Sequence, residues 1–274
     1  MAVSLSVAKS EKTSIKVSDS SRKILEKEIE KIPEFELLPV FTERDELFSK
    51  QQKFRGVTEK GKDDAIAVVR DKYALVQMRD IFNRVLFSLD EDVRGDVIYY
   101  RGRGQLHIFP KDSDIGMCVL NSVDASSAIK VFFVKRENGT TVYLPFAAEI
   151  EGIREYKRLH VGRPLDEVTN FSKILLDAQT AWGFVVDAIA KVPLTSNLAE
   201  EIKKSLDTKM LVEVVDGFAT NNLDRHFGRS PTLWDLLLAI MKTASASKFK
   251  SEIHREKRLR ELSTLLVALA LKMS

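Results

Sequence analysis

The chain has 274 residues, of which 44% are hydrophobic, and a formal net charge of +3 from 43 basic and 40 acidic side chains. That length and apolar content suffice to bury a real core, and the single cysteine, Cys118, excludes an intramolecular disulfide framework. Lys and Glu occur too early for a signal peptide and no apolar run is long enough to span a bilayer, so the reading expects an intracellular, cytoplasmic protein with no membrane partner.

The first 20 residues are rich in Ser, Lys and Thr and read as a flexible arm, although Val3-Ser4-Leu5-Ser6-Val7 alternates as an edge strand would. Residues 21–64 read as a helical N-terminal segment. Ser20 suits a helix cap, Ile24, Ile29 and Ile32 give the helix an apolar stripe, and Pro33 stops it. Thr42 with Asp45 three positions on predicts a second, short helix over 43–52. Residues 57–64 are polar and read as a loop.

From Ala65 the pattern becomes β-prone. Ile66-Ala67-Val68-Val69 predicts a strand, and Tyr73-Ala74-Leu75-Val76 starts the next element. Met78, Ile81, Phe82, Val85 and Leu86 recur at helical spacing over 77–89. Strands are predicted over 97–100, 105–109, 115–120, 128–134 and 141–146, the last two joined by the hairpin signal Asn138-Gly139. These runs form an antiparallel sheet core over 65–148, of four to six strands. Residues 149–274 read as a helical region packed on it. Helices are expected over 165–190, as one or with a break near Gly183, and over 197–206, 233–242 and 252–271, while 210–218 suits a helix or a strand. The fold class is α+β, an antiparallel sheet with packed helices and a helical C-terminal half.

Catalytic chemistry finds little support. The four histidines are scattered, no metal-ligand spacing or phosphate loop occurs, and the reading assigns no cofactor. Asp112 and Asp114, two apart, are the only carboxylate pair with a case for a divalent metal and a nuclease. Tyr99-Tyr100-Arg101-Gly102-Arg103-Gly104 is the richer feature, because arginines neutralise phosphates and tyrosines stack on bases. Counted at period two, Tyr99, Arg101 and Arg103 share one strand face and Tyr100 faces the core. Lys130, Lys135 and Arg136 extend the basic surface. Lys157 and Arg158, with Arg154 and Arg163, form a second cluster. Lys257 and Arg258 lie in a third, within a C-terminal stretch from Arg229 that holds nine Lys or Arg against four Asp or Glu. Trp182 and Trp234 sit on apolar helix faces and read as core. One ring of Phe132-Phe133 must face each side of its strand.

Four segments carry a family resemblance: Arg70-Asp71-Lys72-Tyr73-Ala74-Leu75-Val76, Asn121-Ser122-Val123-Asp124-Ala125-Ser126-Ser127-Ala128-Ile129, Lys157-Arg158-Leu159-His160, and Thr232-Leu233-Trp234-Asp235-Leu236-Leu237-Leu238-Ala239. With them the chain resembles an uncharacterised family of phage- and plasmid-associated proteins over about residues 64–271. It departs from that pattern at Val123, Ala125 and Leu238. The resemblance implies a mobile-element or virus context, with DNA replication or recombination as the analogous process. Together these readings lead to a non-catalytic, homo-oligomeric binder of nucleic acid, single-stranded DNA first. A structural or assembly protein of a virus or plasmid is the alternative, and a metal-dependent nuclease the third reading.

Overall fold

The structure, a computed structural model, describes residues 14–44, 47–89, 92–144, 156–160, 170–220, 231–249 and 251–273. The expected strand at Val3–Val7, the acidic turn residues Asp90 and Glu91, the basic residues Arg154, Arg163 and Lys250, and the loop 221–230 lie outside the described residues. The fold is α+β, an antiparallel sheet followed by a helical C-terminal half.

One sheet has seven strands: β1 (Ser14–Ser21), β5 (Val93–Tyr100), β6 (Arg103–Pro110), β7 (Ile115–Ser122), β8 (Ile129–Glu137) and β10 (Tyr156–Arg158) in that order, with β9 (Thr140–Tyr143) also on β8. A second sheet has three, β2 (Phe35–Arg44), β3 (Leu47–Glu59) and β4 (Ala65–Arg70). The chain divides into two compact units. The first holds the described residues of Met1–Asp112, Cys118–Val131 and Tyr156–Ile174, and the second those of Ser113–Met117, Phe132–Glu155 and Leu175–Ser274.

In the first unit the two helices α1 (Arg22–Ile29) and α2 (Met78–Phe87) bury their apolar stripes, Leu25 and Ile29 on one, Met78, Ile81, Phe82, Val85 and Leu86 on the other. Gly104 lies so close under α2 that a Cβ there would stand 2.0 Å from Met78 Sδ. The Gln77 side-chain amide bonds the Phe35 backbone in both directions, at 2.7 and 3.0 Å, as a neighbouring strand residue would.

Two expectations are corrected here. Residues 14–20 are not part of a flexible arm. They belong to β1, which pairs antiparallel with β5 from Ser14↔Tyr100 to Ser21↔Arg94 and is tied by Asp19 to Arg94 at 2.9 Å. The short helix over 43–52 is absent among the described residues. Glu43, Arg44 and 47–52 belong to β2 and β3, in register from Phe35↔Glu59 to Arg44↔Leu47, and β3 also takes the first three residues of the loop expected from Val57. Ladder pairing outweighs an isolated capping pattern, because a short helix without an apolar face gains little from its cap alone.

The second unit contains α3 (Phe171–Ala190) from Leu175 onward, α4 (Ser196–Lys204), α5 (Lys209–Thr220), α6 (Leu233–Ala246) and α7 (Glu252–Met273). The helix α3 runs unbroken past Gly183, and residues 210–218 are helical. Thr232 and Asp235 form a reciprocal capping box that starts α6. Trp182 and Trp234 are buried core residues meeting edge to face at 6.2 Å, and Trp234 Nε1 donates to the Glu137 carboxylate at 3.3 Å. Among the described residues no helix is long and apolar enough to cross a membrane.

Candidate nucleic-acid interface

The Tyr-Tyr-Arg-Gly-Arg-Gly segment is a hairpin rather than one extended strand. β5 and β6 pair Tyr100 with Arg103 and Tyr99 with Gly104, which leaves Arg101-Gly102 as a two-residue turn. Both turn residues have positive φ, +49° and +75°, the signature of the primed turn that matches strand twist. Counting by twos fails across a reversal of the chain. Tyr99 therefore leaves the proposed surface. It is 1% exposed, its hydroxyl oxygen accepts from Gly102 N–H at 3.2 Å, and burial pushes its phenol up to about 12. Tyr100 takes its place on the Arg103 side, partly exposed, with the Arg101 guanidinium over its ring at 5.4 Å.

Arg101 is exposed, and among the described residues its guanidinium has no carboxylate partner. Arg103 has one, Asp124, at 2.8 Å. A left-handed conformation costs a residue with a Cβ roughly 1–2 kcal/mol. An exposed cation–π contact returns about 0.5–1 kcal/mol. The fold thus gains little or nothing from having arginine at this position.

The turn is clamped from behind. The Gly102 carbonyl accepts from Val123 N–H at 2.8 Å. A Cβ at Gly102 would stand 2.7 Å from Ile66 Cδ1 and 2.8 Å from Val123 Cγ2, so only glycine fits. Val123 belongs to the β7–β8 loop, which is itself fixed. Ser122 Oγ accepts from Ser127 N–H and donates to its carbonyl, both at 2.9 Å, and Asp124 Oδ1 accepts from Ser126 N–H at 3.0 Å. Burial opposes ionisation of Asp124, but the hydrogen bonds from Ser126 and Arg103 outweigh it and hold the carboxyl below its ordinary range.

Tyr73 closes the other side of that loop. Its hydroxyl reaches the Ser122 and Val123 carbonyls at 3.3 and 3.1 Å, and burial pushes its phenol well above its ordinary value. His160 stacks on the Tyr73 ring, centroids 5.1 Å apart and planes 16° off parallel, and Ala74 N–H donates to the His160 carbonyl at 2.8 Å. Burial lowers the His160 imidazole below its ordinary 6.5. The segments 70–76, 121–129 and 157–160 thus meet around Tyr73. The segment 232–239 lies in the second unit, where it caps and packs α6.

Six of the ten residues singled out in the sequence belong to the first unit: Tyr99, Arg101, Arg103, Lys130, Lys157 and Arg158. Lys130 stands directly opposite Lys157 across β8 and β10, and Arg158 opposite Ile129. Among the described residues Lys130 has no carboxylate partner. The other four belong to the second unit and are engaged within it. Lys135 pairs with Glu137 at 3.2 Å and its side chain is only 17% exposed. Arg136 donates its N–H to the Asp114 carbonyl at 2.7 Å. Lys257 pairs with Glu261 at 3.8 Å, and Arg258 with Asp207.

Tyr100, Asp124, Tyr73 and His160 are the site residues that sequence reasoning missed. The signal for Tyr100 was the Arg-Gly pair between two β-prone runs, which is a hairpin turn with an uncommon first residue. The Phe132 ring, left open by the sequence, lies under the Arg260 guanidinium at 5.0 Å. Asp112 and Asp114 sit exposed in the β6–β7 turn, and among the described residues no group of three or more His, Cys, Asp or Glu is placed to hold a metal ion. No protein-family model, no curated protein and no solved structure matches this chain.

Proposed function

We propose that the chain is a non-catalytic nucleic-acid-binding protein whose contact surface lies in the first unit, around the β5–β6 turn. The observation that carries this reading is the clamped turn, which displays an arginine without a carboxylate partner among the described residues beside a partly exposed tyrosine ring, with a second arginine next to it. Lys130, without a carboxylate partner among the described residues, supports it as a further cation of the same unit. Phosphates would displace counterions at these groups, so binding weakens steeply as salt rises. The resemblance of the Tyr73, Asn121–Ile129 and His160 segments to mobile-element proteins would place such binding in replication or recombination of a phage or plasmid.

The test is the affinity of the purified full chain for a labelled oligonucleotide across a salt series. Binding at low salt with a negative log–log slope is expected. Arg101→Gln with Lys130→Gln should make that slope shallower by about one for each phosphate that is no longer neutralised. No binding at low salt, or an unchanged slope in the double variant, overturns the proposal.

A further inference from the structure

The chain builds the same two-residue turn twice. Arg101-Gly102 has φ of +49° and +75°, and Asn138-Gly139 has φ of +51° and +74°. Both close antiparallel hairpins, between Tyr100↔Arg103 and between Glu137↔Thr140. Asparagine tolerates the left-handed region and is favoured at that first position. Arginine is not, and backbone strain of this kind concentrates at functional sites.

The two turns also differ in their surroundings. A Cβ at Gly139 would meet nothing within 4 Å, whereas one at Gly102 would strike Ile66 and Val123. The second turn stands free, while the first is held from behind and presents a guanidinium over a tyrosine ring, 5.4 Å from its centroid. A planar cation on an aromatic ring, fixed in advance, offers flat surface to a base as well as charge to a phosphate. A duplex hides its base faces, and an unpaired nucleotide exposes them.

We infer that Tyr100 and Arg101 form a stacking clamp for an unpaired base, so that this surface selects single-stranded nucleic acid over duplex. The inference rests on the nucleic-acid reading above and adds the strand state of the partner. Arg101 is then the selective residue, kept in an unfavourable conformation for its side chain rather than for the turn. The basic groups Arg103 and Lys130 supply attraction to either form.

The experiment compares the full chain with Arg101→Asn, Arg101→Lys, Tyr100→Leu and, as a mirror control, Asn138→Arg. Each is measured against labelled oligothymidylate and a mixed-sequence duplex of the same length. The unaltered chain should prefer the single strand by about tenfold, the scale of one stacked base. Arg101→Lys keeps the charge and should lose that preference while retaining duplex affinity. Arg101→Asn should lose the preference and raise the thermal midpoint. Asn138→Arg should lower the midpoint and leave both affinities unchanged. Equal affinity of the unaltered chain for both forms overturns the inference and leaves the nucleic-acid reading standing, as does a midpoint lowered by Arg101→Asn. Absence of binding to either form at low salt overturns both.

Discussion

The Ser263 hydroxyl of α7 bonds the Tyr143 backbone twice, accepting from its N–H at 2.6 Å and donating to its carbonyl at 2.8 Å. One helix side chain thereby occupies the place of a missing strand beside β9. Both residues are fully buried, and the Tyr143 hydroxyl donates to the buried Glu256 carboxylate at 2.7 Å from the same helix. Ser263→Ala leaves two buried backbone groups without this partner. Destabilisation of about 1–3 kcal/mol is expected by urea unfolding. A change below a few tenths would show that this helix–strand anchor is dispensable.

The two neighbouring tyrosines of β5 should separate stability from binding. Tyr99→Phe removes the acceptor for Gly102 N–H in a buried site and should cost about 1–2 kcal/mol while preserving oligonucleotide affinity. Tyr100→Leu should do the reverse, holding the unfolding midpoint and weakening single-strand binding. Calorimetry and fluorescence anisotropy on the same preparations distinguish the two, and equivalent behaviour of both variants would contradict the face assignment.

Glycines test the packing directly. A Cβ at Gly95 would stand 1.9 Å from the His107 carbonyl oxygen, which belongs to the paired strand and has no free rotation. Gly95→Ala should therefore cost about 3 kcal/mol or more. In α3 a Cβ at Gly183 meets nothing within 4 Å, and Gly183→Ala should stabilise by about 0.5–1 kcal/mol. Parallel denaturation curves that moved in the same direction would refute this contrast.

Stability should fall on mild acidification because of His160. Burial holds its imidazole below the ordinary 6.5, against the opposing influence of the Ala74 carbonyl and the Asp124 charge. A base depressed in this way binds fewer protons folded than unfolded, so its contribution is complete above 6.5 and declines as pH drops below it. Asp124 has the acid counterpart. Its depressed carboxyl stabilises the fold above its ordinary 3.8 and loses that contribution only at lower pH. Urea midpoints on both sides of pH 6.5 should show the first decline in the parent chain, and His160→Asn should flatten it.

Asp124 also competes for Arg103. Asp124→Asn keeps an acceptor for Ser126 N–H but removes the charge that pairs with the guanidinium at 2.8 Å. Stability should drop by about 1 kcal/mol, as a charge-assisted bond becomes a neutral one. Oligonucleotide affinity at low salt should rise, since an anion near the phosphate path has gone. Weaker binding with an intact fold would mean that Arg103 needs Asp124 for its placement more than it suffers from its charge.

How much of this is legible in the sequence depends on whether local chemistry agrees with the final structure. Asn138-Gly139 announces its turn because both residues suit it. Arg101-Gly102 makes the same turn yet reads as part of an extended strand, because arginine gives no hint of a left-handed backbone. The helices α2, α3 and α6 are visible from the spacing of Phe82, Trp182 and Trp234 with their neighbours and from the Thr232 cap. β1 is not, since its side chains Lys16, Ser18 and Asp19 are polar and its order comes from pairing with β5. The hairpin of β2 and β3 is hidden by the capping spacing of Thr42 and Asp45, while the pairing that wins, such as Thr42 with Ser49, leaves no comparable mark in the sequence. Whether a lysine lacks a carboxylate partner, as Lys130 does among the described residues, or has one, as Lys135 has, is a property of three-dimensional neighbours that no linear pattern encodes.

The free-standing turn at Asn138-Gly139 has a practical consequence. Both residues are exposed, and nothing lies within 4 Å of where a Gly139 side chain would begin. A fluorophore or an epitope carried on the residue 138 side chain should cost the hairpin some stability, because both positions keep a positive φ, and should leave the binding surface unchanged. At the first turn a side chain on Gly102 would strike Ile66 and Val123, and a label on Arg101 would replace the binding residue itself. One chain thus offers two attachment points of similar backbone φ, one on the binding surface and one away from it, a matched pair for separating the effect of a label from the effect of its position.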